Sequence, residues 1–143
     1  MSDTILHGYF RSSAAFRTRI ALNMKCVKYE QKFRHLRKGE QRQPDFLKLN
    51  PQGLVPALEI DGNVLTQSLA IVEYLDETRP NPPLLPKDPA ARARVRSIAY
   101  SLAMEIHPIN NLRVLQDLAA RFGADDKAVA GWFRNWVTVT FDP

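Results

Sequence analysis

Residues 54–75 read LVPALEIDGNVLTQSLAIVEYL, a stretch that predicts a β-hairpin followed by a helix. Asp61-Gly62 is a two-residue turn signal between two short apolar runs, because both residues tolerate a positive φ. The apolar period then changes from two to 3.6 residues, which is typical of a helix with one buried face. The apolar residues at helical spacing are Leu69, Val72 and Leu75.

The start of that helix is a candidate anion site. Gln67 and Ser68 lie where the helix begins, so free N–H groups and the positive end of the helix dipole face outward there. Such a start attracts an anion, and a small carboxylate is the simplest candidate. The alternative interpretation of Ser68 is an ordinary helix cap.

Val55-Pro56 opens the hairpin. Proline cannot donate to a strand ladder, so Pro56 is expected at the start of the strand. A cis bond there would turn the N–H and C=O groups of Val55 outward, where a bound peptide could pair with them. The alternative is an ordinary trans proline that interrupts a strand.

The N-terminal segment predicts a strand, a turn, a helix and a second strand. Residues 5–9 favour a strand, and the helix at 16–24 is expected to bury Phe16, Ile20 and Met24. Residues 26–33 alternate apolar and charged side chains, which indicates a strand with one face in solvent. With a short helix before the hairpin, residues 1–77 follow the order βαβ-α-ββα. This order is the thioredoxin-like arrangement of an α/β fold.

The chemistry of thioredoxin is absent from this arrangement. A redox protein needs a thiol at the start of the first helix, whereas this chain has Ser12-Ser13 followed by two alanines. The only cysteine, Cys26, follows the helix and is expected to be a small buried apolar residue. A serine hydroxyl at the helix start can instead donate a hydrogen bond to a thiolate that arrives with a ligand, and glutathione is the candidate.

A proline-rich segment separates this first domain from the rest. Residues 80–89 contain five prolines, which exclude helix and strand interiors and make a stiff, extended connector. Asp88-Pro89 is typical of the start of a new helix. We therefore predict a domain at residues 1–79, a linker at 80–89 and an all-α domain at 90–143.

The pattern of the second domain is helical throughout. Pro108 is expected to kink or divide its first helix, Gly123 ends the next apolar stripe, and Asp125 or Asp126 could cap the last helix. The apolar residues at helical spacing in the first helix are Val95, Ile98, Ala99, Leu102 and Ile106.

An apolar run near residue 143 predicts that this second domain is incomplete. About 50 residues rarely sustain a separate core, so the large side chains of this run would have few partners. We expect a truncated version of a longer protein; packing of the run on the first domain or on a second subunit is the alternative. The residues of the run are Trp132, Phe133, Trp136, Val137, Val139 and Phe141.

Composition excludes several classes of protein. The formal net charge is +5, but the basic residues are scattered and show neither a helix-turn-helix pattern nor a metal-finger spacing. We therefore expect no nucleic-acid partner and no metal. Most of the basic residues are expected to lie on solvated faces, and Arg17 is expected to attract small dianions. There is no apolar run of about 18 residues and no signal-peptide layout, so we expect no membrane partner. A single cysteine fits the reducing cytoplasm.

Four motifs resemble the zeta class of glutathione transferases and, within it, the bacterial maleylacetoacetate isomerases. The resemblance covers nearly the whole chain. The Ser-Ser helix start combined with the Asn-Asn-Leu-Arg segment is the part of the resemblance that is most specific to the zeta class. One departure is Ala14, which stands where many zeta members carry a cysteine. The motifs are 12–22 (SSAAFRTRIAL), 49–58 (LNPQGLVPAL), 67–75 (QSLAIVEYL) and 107–115 (HPINNLRVL).

The resemblance implies a role for each candidate residue. Ser12, or Ser13 in its place, would hydrogen-bond the glutathione thiolate, although the two could also simply cap the helix. Arg17 would add positive potential near this thiolate; a surface salt bridge is its alternative role. These three residues, Ser12, Ser13 and Arg17, are the candidate catalytic group.

The same resemblance implies the remaining contacts. Gln41 would contact the glycyl end of glutathione, although an exposed loop glutamine looks the same in sequence. Val55 would pair through its backbone with the cysteinyl unit, and Gln67 with Ser68 would hold the γ-glutamyl carboxylate. The substrate side is implied for His107, Asn111 and Arg113, and a structural role is the alternative for His107.

The implied activity is cis–trans isomerisation of maleylacetoacetate to fumarylacetoacetate, with glutathione as cofactor and a small anionic substrate. The thiolate adds to the double bond, the bond rotates, and the thiolate leaves again. A homodimer in the cytoplasm is implied as well. Alternatives are another glutathione-dependent transferase, a maleylpyruvate isomerase, or a truncated, non-catalytic module for glutathione binding or dimerisation.

Overall fold

The computed structural model describes residues 3–142 and divides into two compact units between Leu85 and Pro86. The first unit is an α/β unit built on a four-stranded sheet, and the described part of the second is helical. Among residues 3–142, no helix has the length and the apolar character needed to cross a membrane.

The sheet of the first unit has the strand order β2-β1-β3-β4. β1 pairs with β2 in parallel and with β3 antiparallel, and β3 pairs antiparallel with β4. Three helices accompany the strands, and the order βαβ-α-ββα confirms the thioredoxin-like prediction. The elements are β1 (Ile5–Gly8), α1 (Ser13–Met24), β2 (Glu30–Phe33), α2 (Pro44–Leu49), β3 (Ala57–Ile60), β4 (Asn63–Thr66) and α3 (Ser68–Thr78).

The hairpin forms as predicted. Asp61 and Gly62 have φ values of 51° and 75°, the left-handed conformation that this two-residue turn requires. The turn sets Ile60 opposite Asn63 and Ala57 opposite Thr66, so β4 ends one residue before Gln67. The hairpin thereby carries the chain directly to the start of α3.

The predicted buried face of α1 is wrong. Phe16, Ile20 and Met24 are 54%, 43% and 48% exposed. The helix instead buries a face of mostly small residues, which lets its backbone approach the sheet and α3 closely. The buried residues are Ala14, Ala15, Thr18, Ala21 and Leu22.

Two further predictions about the segment after α1 are wrong. β2 begins at Glu30 rather than near residue 26, and its last residue, Phe33, is 62% exposed. Cys26 is exposed rather than buried, and it has a positive φ of 54° in the turn that ends α1. This turn leaves the helix axis, so Cys26 does not reach the core beneath α1.

The second unit begins with α4 (Pro89–Tyr100), which continues through wider π-type turns at Ser101–Ile106 into a last short turn, α5 (His107–Ile109). The helix ends directly after Pro108, as predicted, and α6 (Leu112–Phe122) and α7 (Asp126–Phe141) follow. The side chains of Asp88 and Asp125 cap α4 and α7, and Gly123 ends α6 with a φ of 65°.

The predicted apolar stripe of the first helix is only partly buried, since two of its five residues are exposed, two are partly buried and one is buried. Val95 and Ile98 are 38% and 65% exposed, and Ile106 is the one buried hydrophobic residue among the described residues of this unit. Phe133 and Phe141 are about half exposed, in line with the small number of partners expected for them. Trp132 does have a polar partner, because its indole N–H donates to the carbonyl of Ile109 at 3.0 Å.

Candidate functional site

Ser12 forms the cap of α1. Its Oγ accepts a hydrogen bond from the N–H of Ala15 at 3.1 Å, and its own N–H donates to the carbonyl of Tyr9 at 3.0 Å. The capping role is therefore real, but it uses only the acceptor capacity of the hydroxyl. The O–H proton can still donate to a thiolate. Ser13, the first residue of α1, is exposed.

Ser68 is buried at the first position of α3, and Arg17 reaches it from α1. Both Nε and Nη2 of Arg17 donate to Ser68 Oγ, at 3.2 and 3.1 Å. Gln67, the preceding residue, has a φ of 65° and gives no side-chain cap to the helix. The structure thus brings together a guanidinium, a hydroxyl and the N-terminus of an 11-residue helix.

Arg17 carries a charge that no described carboxylate neutralises. Among residues 3–142 no carboxylate pairs with its guanidinium, and burial lowers the pKa of the Arg17 guanidinium from its ordinary value. The predicted alternative, a surface salt bridge, is therefore wrong. A partly buried cation beside a helix N-terminus attracts an anion more strongly than either feature alone.

A second group of predicted residues lies around the loop before β3. Gln41 belongs to a helical turn, Glu40–Arg42, and its carbonyl lies against Gly53, where an added Cβ would approach that oxygen to 3.0 Å. Gly53 has a φ of 61°, so only glycine fits this close approach without strain. The side-chain Oε1 of Gln41 is buried and has no hydrogen-bond partner in the described part of the chain.

Val55 follows this loop and precedes a cis bond to Pro56. Its backbone N–H and C=O take no part in the hydrogen bonds of residues 3–142. These two groups are therefore available to a peptide-like ligand.

Gln67 has a partner that sequence reasoning missed. Its Nε2 donates to Oε1 of Gln52 at 3.0 Å, which links the start of α3 to the loop before β3. Nothing in the sequence singles out Gln52, because the pair is 15 residues apart and both side chains are ordinary exposed amides.

The predicted residues of the second unit cluster where α5 ends and α6 begins. Asn111 caps α6 by accepting from the N–H of Arg113 at 3.2 Å, His107 starts α5, and Arg113 is exposed. Sequence reasoning passed over the neighbouring Asn110, whose side-chain nitrogen and oxygen are both buried and find no hydrogen-bond partner among residues 3–142. The resemblance singled out Asn111 of this Asn-Asn pair, and no sequence pattern indicated that the side chain of Asn110 is buried.

The described residues contain no group of three or more His, Cys, Asp or Glu side chains that could hold a metal ion. The side chains that the structure places at the candidate site carry hydroxyl, amide and guanidinium groups, and Ser12 and Ser68 lie at helix N-termini. Groups of these kinds can donate hydrogen bonds to an anionic, peptide-like ligand.

Comparison with known proteins agrees with this description. A family model described as the glutathione S-transferase N-terminal domain matches residues 2–77. The probable maleylacetoacetate isomerase of Vibrio cholerae is 51% identical over 144 residues, which cover 99% of this chain and 66% of that protein.

Two solved structures are also similar. A holo structure of maleyl pyruvate isomerase, described as a bacterial glutathione S-transferase of the zeta class, matches with a TM-score of 0.94 and 47% identity over 96% of this chain and 65% of its own. A maleylacetoacetate isomerase from Methylobacterium extorquens AM1, solved with malonate and GSH bound, gives a TM-score of 0.93 and 47% identity over the same shares.

The chain belongs to the glutathione S-transferase family, and the resemblance to the zeta class is confirmed. It spans 65–66% of the length of these relatives.

Proposed function

We propose that the chain forms the glutathione-binding part of a glutathione-dependent isomerase that converts maleylacetoacetate to fumarylacetoacetate. The observation that supports this most directly is Arg17, a partly buried cation that donates to Ser68 and has no carboxylate partner among residues 3–142. The γ-glutamyl carboxylate of glutathione supplies the missing negative charge. It accepts from Arg17 and from the first N–H groups of α3.

The rest of glutathione is assigned to the neighbouring groups. The unpaired backbone of Val55 holds the cysteinyl unit as a strand would, and Gln41 meets the glycyl end. Gln67 supports the γ-glutamyl end from the turn before α3. Ser12 donates to the sulfur, with Ser13 as the alternative donor.

Glutathione, when bound, supplies the thiolate that adds to the cis double bond and leaves after rotation about that bond. The chain has two tasks, which are to keep the sulfur ionised and to stabilise the negative charge that develops on the substrate. Ser12 and the positive end of the α1 dipole perform the first task. Arg17 and Arg113 are assigned to the second, with His107 and Asn111 on the substrate side.

The relatives support a small dianionic substrate. The Methylobacterium enzyme was solved with malonate, a dicarboxylate, beside GSH. A second candidate function is isomerisation of maleylpyruvate, which the similarity to maleyl pyruvate isomerase favours. Turnover measured with both maleyl compounds, and with halogenated acids, separates these functions. Glutathione binding without turnover of any of them would identify a non-catalytic binding module.

The proposal also covers the cellular compartment, the pathway and the oligomeric state. We assign the protein to the cytoplasm, to the breakdown of aromatic amino acids and to a homodimer. Size-exclusion chromatography with light scattering tests the last assignment, and a monomer at all concentrations would refute it.

The glutathione site is tested by Ser68→Ala. The substitution removes the hydroxyl that orients Arg17 and costs about 1–3 kcal/mol of glutathione binding free energy, or roughly 5–150-fold in Kd. Isothermal titration calorimetry measures this change, and Ser97→Ala on the exposed face of α4 is the matched control. Equal affinity of Ser68→Ala and the wild type would refute the assigned site.

A further inference from the structure

Two polar links join α1 to α3, and they lie at opposite ends of the two helices. Arg17 donates to Ser68 near the helix starts, and Lys25 Nζ donates to Asp76 Oδ1 at 2.6 Å near their ends. Both links join residues 51 positions apart, so α1 and α3 run side by side in the same direction. The two links are eight residues apart on each helix, which corresponds to about 12 Å along its axis.

Close apolar packing fills the space between the links. Ala21 and Leu22 of α1 belong to the same buried cluster as Ile71 and Leu75 of α3. A packed interface of this kind transmits a displacement at one end to the other, because its side chains interlock with few voids.

The second link also fastens the proline-rich segment. Asp76 accepts hydrogen bonds from the N–H groups of Leu84 and Leu85 at 2.8 and 3.3 Å, and Lys25 also donates to the carbonyl of Pro82. The Lys25 side chain is fully buried and that of Asp76 is 15% exposed. Removing either residue would leave the other as a buried charge without its partner, and such a charge strongly destabilises the folded state.

We infer that Lys25 and Asp76 are positioning residues for the glutathione site, because they set the spacing of α1 and α3 that brings Arg17 to Ser68. This inference rests on the proposed function. The same pair connects the glutathione site to residues 82–85, so occupancy of the site and docking of this segment are coupled. By reciprocity, docking changes glutathione affinity by the same factor as glutathione changes docking.

The first test compares Asp76→Asn with the wild type by isothermal titration calorimetry with glutathione. The expected result is a Kd about 5–50-fold weaker, although no atom of Asp76 is assigned to the ligand. Asp61→Asn is the matched control, because Asp61 also holds the last turns of α3, through Tyr74 and Arg79, without any link to α1. An unchanged Kd in folded Asp76→Asn would overturn the inference.

A second variant separates loss of the ion pair from the destabilisation that a single unpaired buried charge would cause. The double substitution Lys25→Met with Asp76→Leu removes both charges and leaves neither one unpaired. It is expected to keep the far-ultraviolet circular dichroism of the wild type and to show the same loss of affinity. Wild-type affinity in the double variant would overturn the inference as well.

The coupling is tested on the wild type by limited proteolysis at the Leu84–Leu85 bond. Saturating glutathione is expected to slow cleavage there about 5–50-fold and to leave cleavage in the loop at residues 123–125 unchanged. Equal cleavage with and without glutathione would refute the coupling. Failure of the wild type to bind glutathione would refute the proposed function itself, whereas wild-type binding with unaffected variants would refute only this inference.

Discussion

The two units of this chain bury their apolar side chains to very different degrees. The first has a contiguous core in which Leu6, Leu22, Leu58, Ile71 and Leu75 have essentially no exposed surface. The second has Ile106 as its one buried hydrophobic residue among those described, and four of its phenylalanine and tyrosine side chains are well exposed. The exposed aromatic residues are Tyr100, Phe122, Phe133 and Phe141.

The difference reflects how each unit is built. A sheet with helices packed against it buries whole side chains, because α1 and α3 lie together on Leu6 and Leu58 of neighbouring strands. The described part of the second unit is built from helices without a sheet, and its helices leave much of their apolar surface, including Ile98 and Phe133, uncovered. We therefore expect the first unit to be the more stable of the two.

The largest expected effect is Leu75→Ala in the core of the first unit. The substitution removes a fully buried side chain and leaves a cavity, which costs about 2–5 kcal/mol of the free energy of unfolding. Phe133→Ala, at a side chain that is 46% exposed, is expected to cost about 1 kcal/mol or less. Urea unfolding followed by far-ultraviolet circular dichroism measures both. Equal losses of unfolding free energy would contradict the expectation that the first unit has the better-packed core.

The next effect concerns the second unit alone. Asp125→Ala removes the cap of α7, in which Asp125 Oδ1 accepts from the N–H of Ala128 at 2.8 Å. The expected cost is about 1 kcal/mol. Both tryptophans, Trp132 and Trp136, lie in α7, so tryptophan fluorescence reports on this unit. A shift of the fluorescence transition is expected with little change in glutathione affinity, and Asp125→Asn, which can still cap, is the control.

The smallest effect is a dependence on acid pH that is confined to the first unit. Burial raises the pKa of Asp76, but the hydrogen bonds from Lys25 and from the N–H groups of Leu84 and Leu85 outweigh it and lower the pKa below 3.8. A lowered folded-state pKa stabilises the protein above pH 3.8, and this stability is lost as the pH falls through the folded value.

Acid titration followed by circular dichroism checks this expectation. The acid transition of the first unit is expected to become less steep in the variant that lacks both Lys25 and Asp76. Tryptophan fluorescence, which reports on the second unit, is expected to be unaffected by the same substitutions. A change in fluorescence alone would contradict the assignment.

Much of the fold could be predicted because its signals are local. The Asp61-Gly62 turn, the caps at Asp88 and Asp125 and the end of α6 at Gly123 each depend on the conformation of a few neighbouring residues. The buried face of α1 could not be predicted in this way. Its large residues Phe16, Ile20 and Met24 suggested one face, whereas the face that packs on the sheet and α3 consists mostly of small residues together with Leu22.

The candidate site, like the fold, could be predicted only in part. Sequence placed Ser12 and Ser68 at helix starts, where a side chain near a free helix end has few alternative roles. It did not reveal that Arg17 donates to Ser68, or that Gln67 pairs with Gln52, because those contacts join residues far apart in the chain.

The sequence by itself determined the order of elements, the turn, the helix starts and the family resemblance, since each depends on residue types at short spacing. Only the tertiary structure decided that Arg17 lacks a carboxylate partner among residues 3–142, that Cys26 is exposed, and that Lys25 and Asp76 hold α1, α3 and residues 82–85 together. The physical reason is that charge neutralisation and burial depend on which segments pack against each other, and packing brings together residues 51 positions apart.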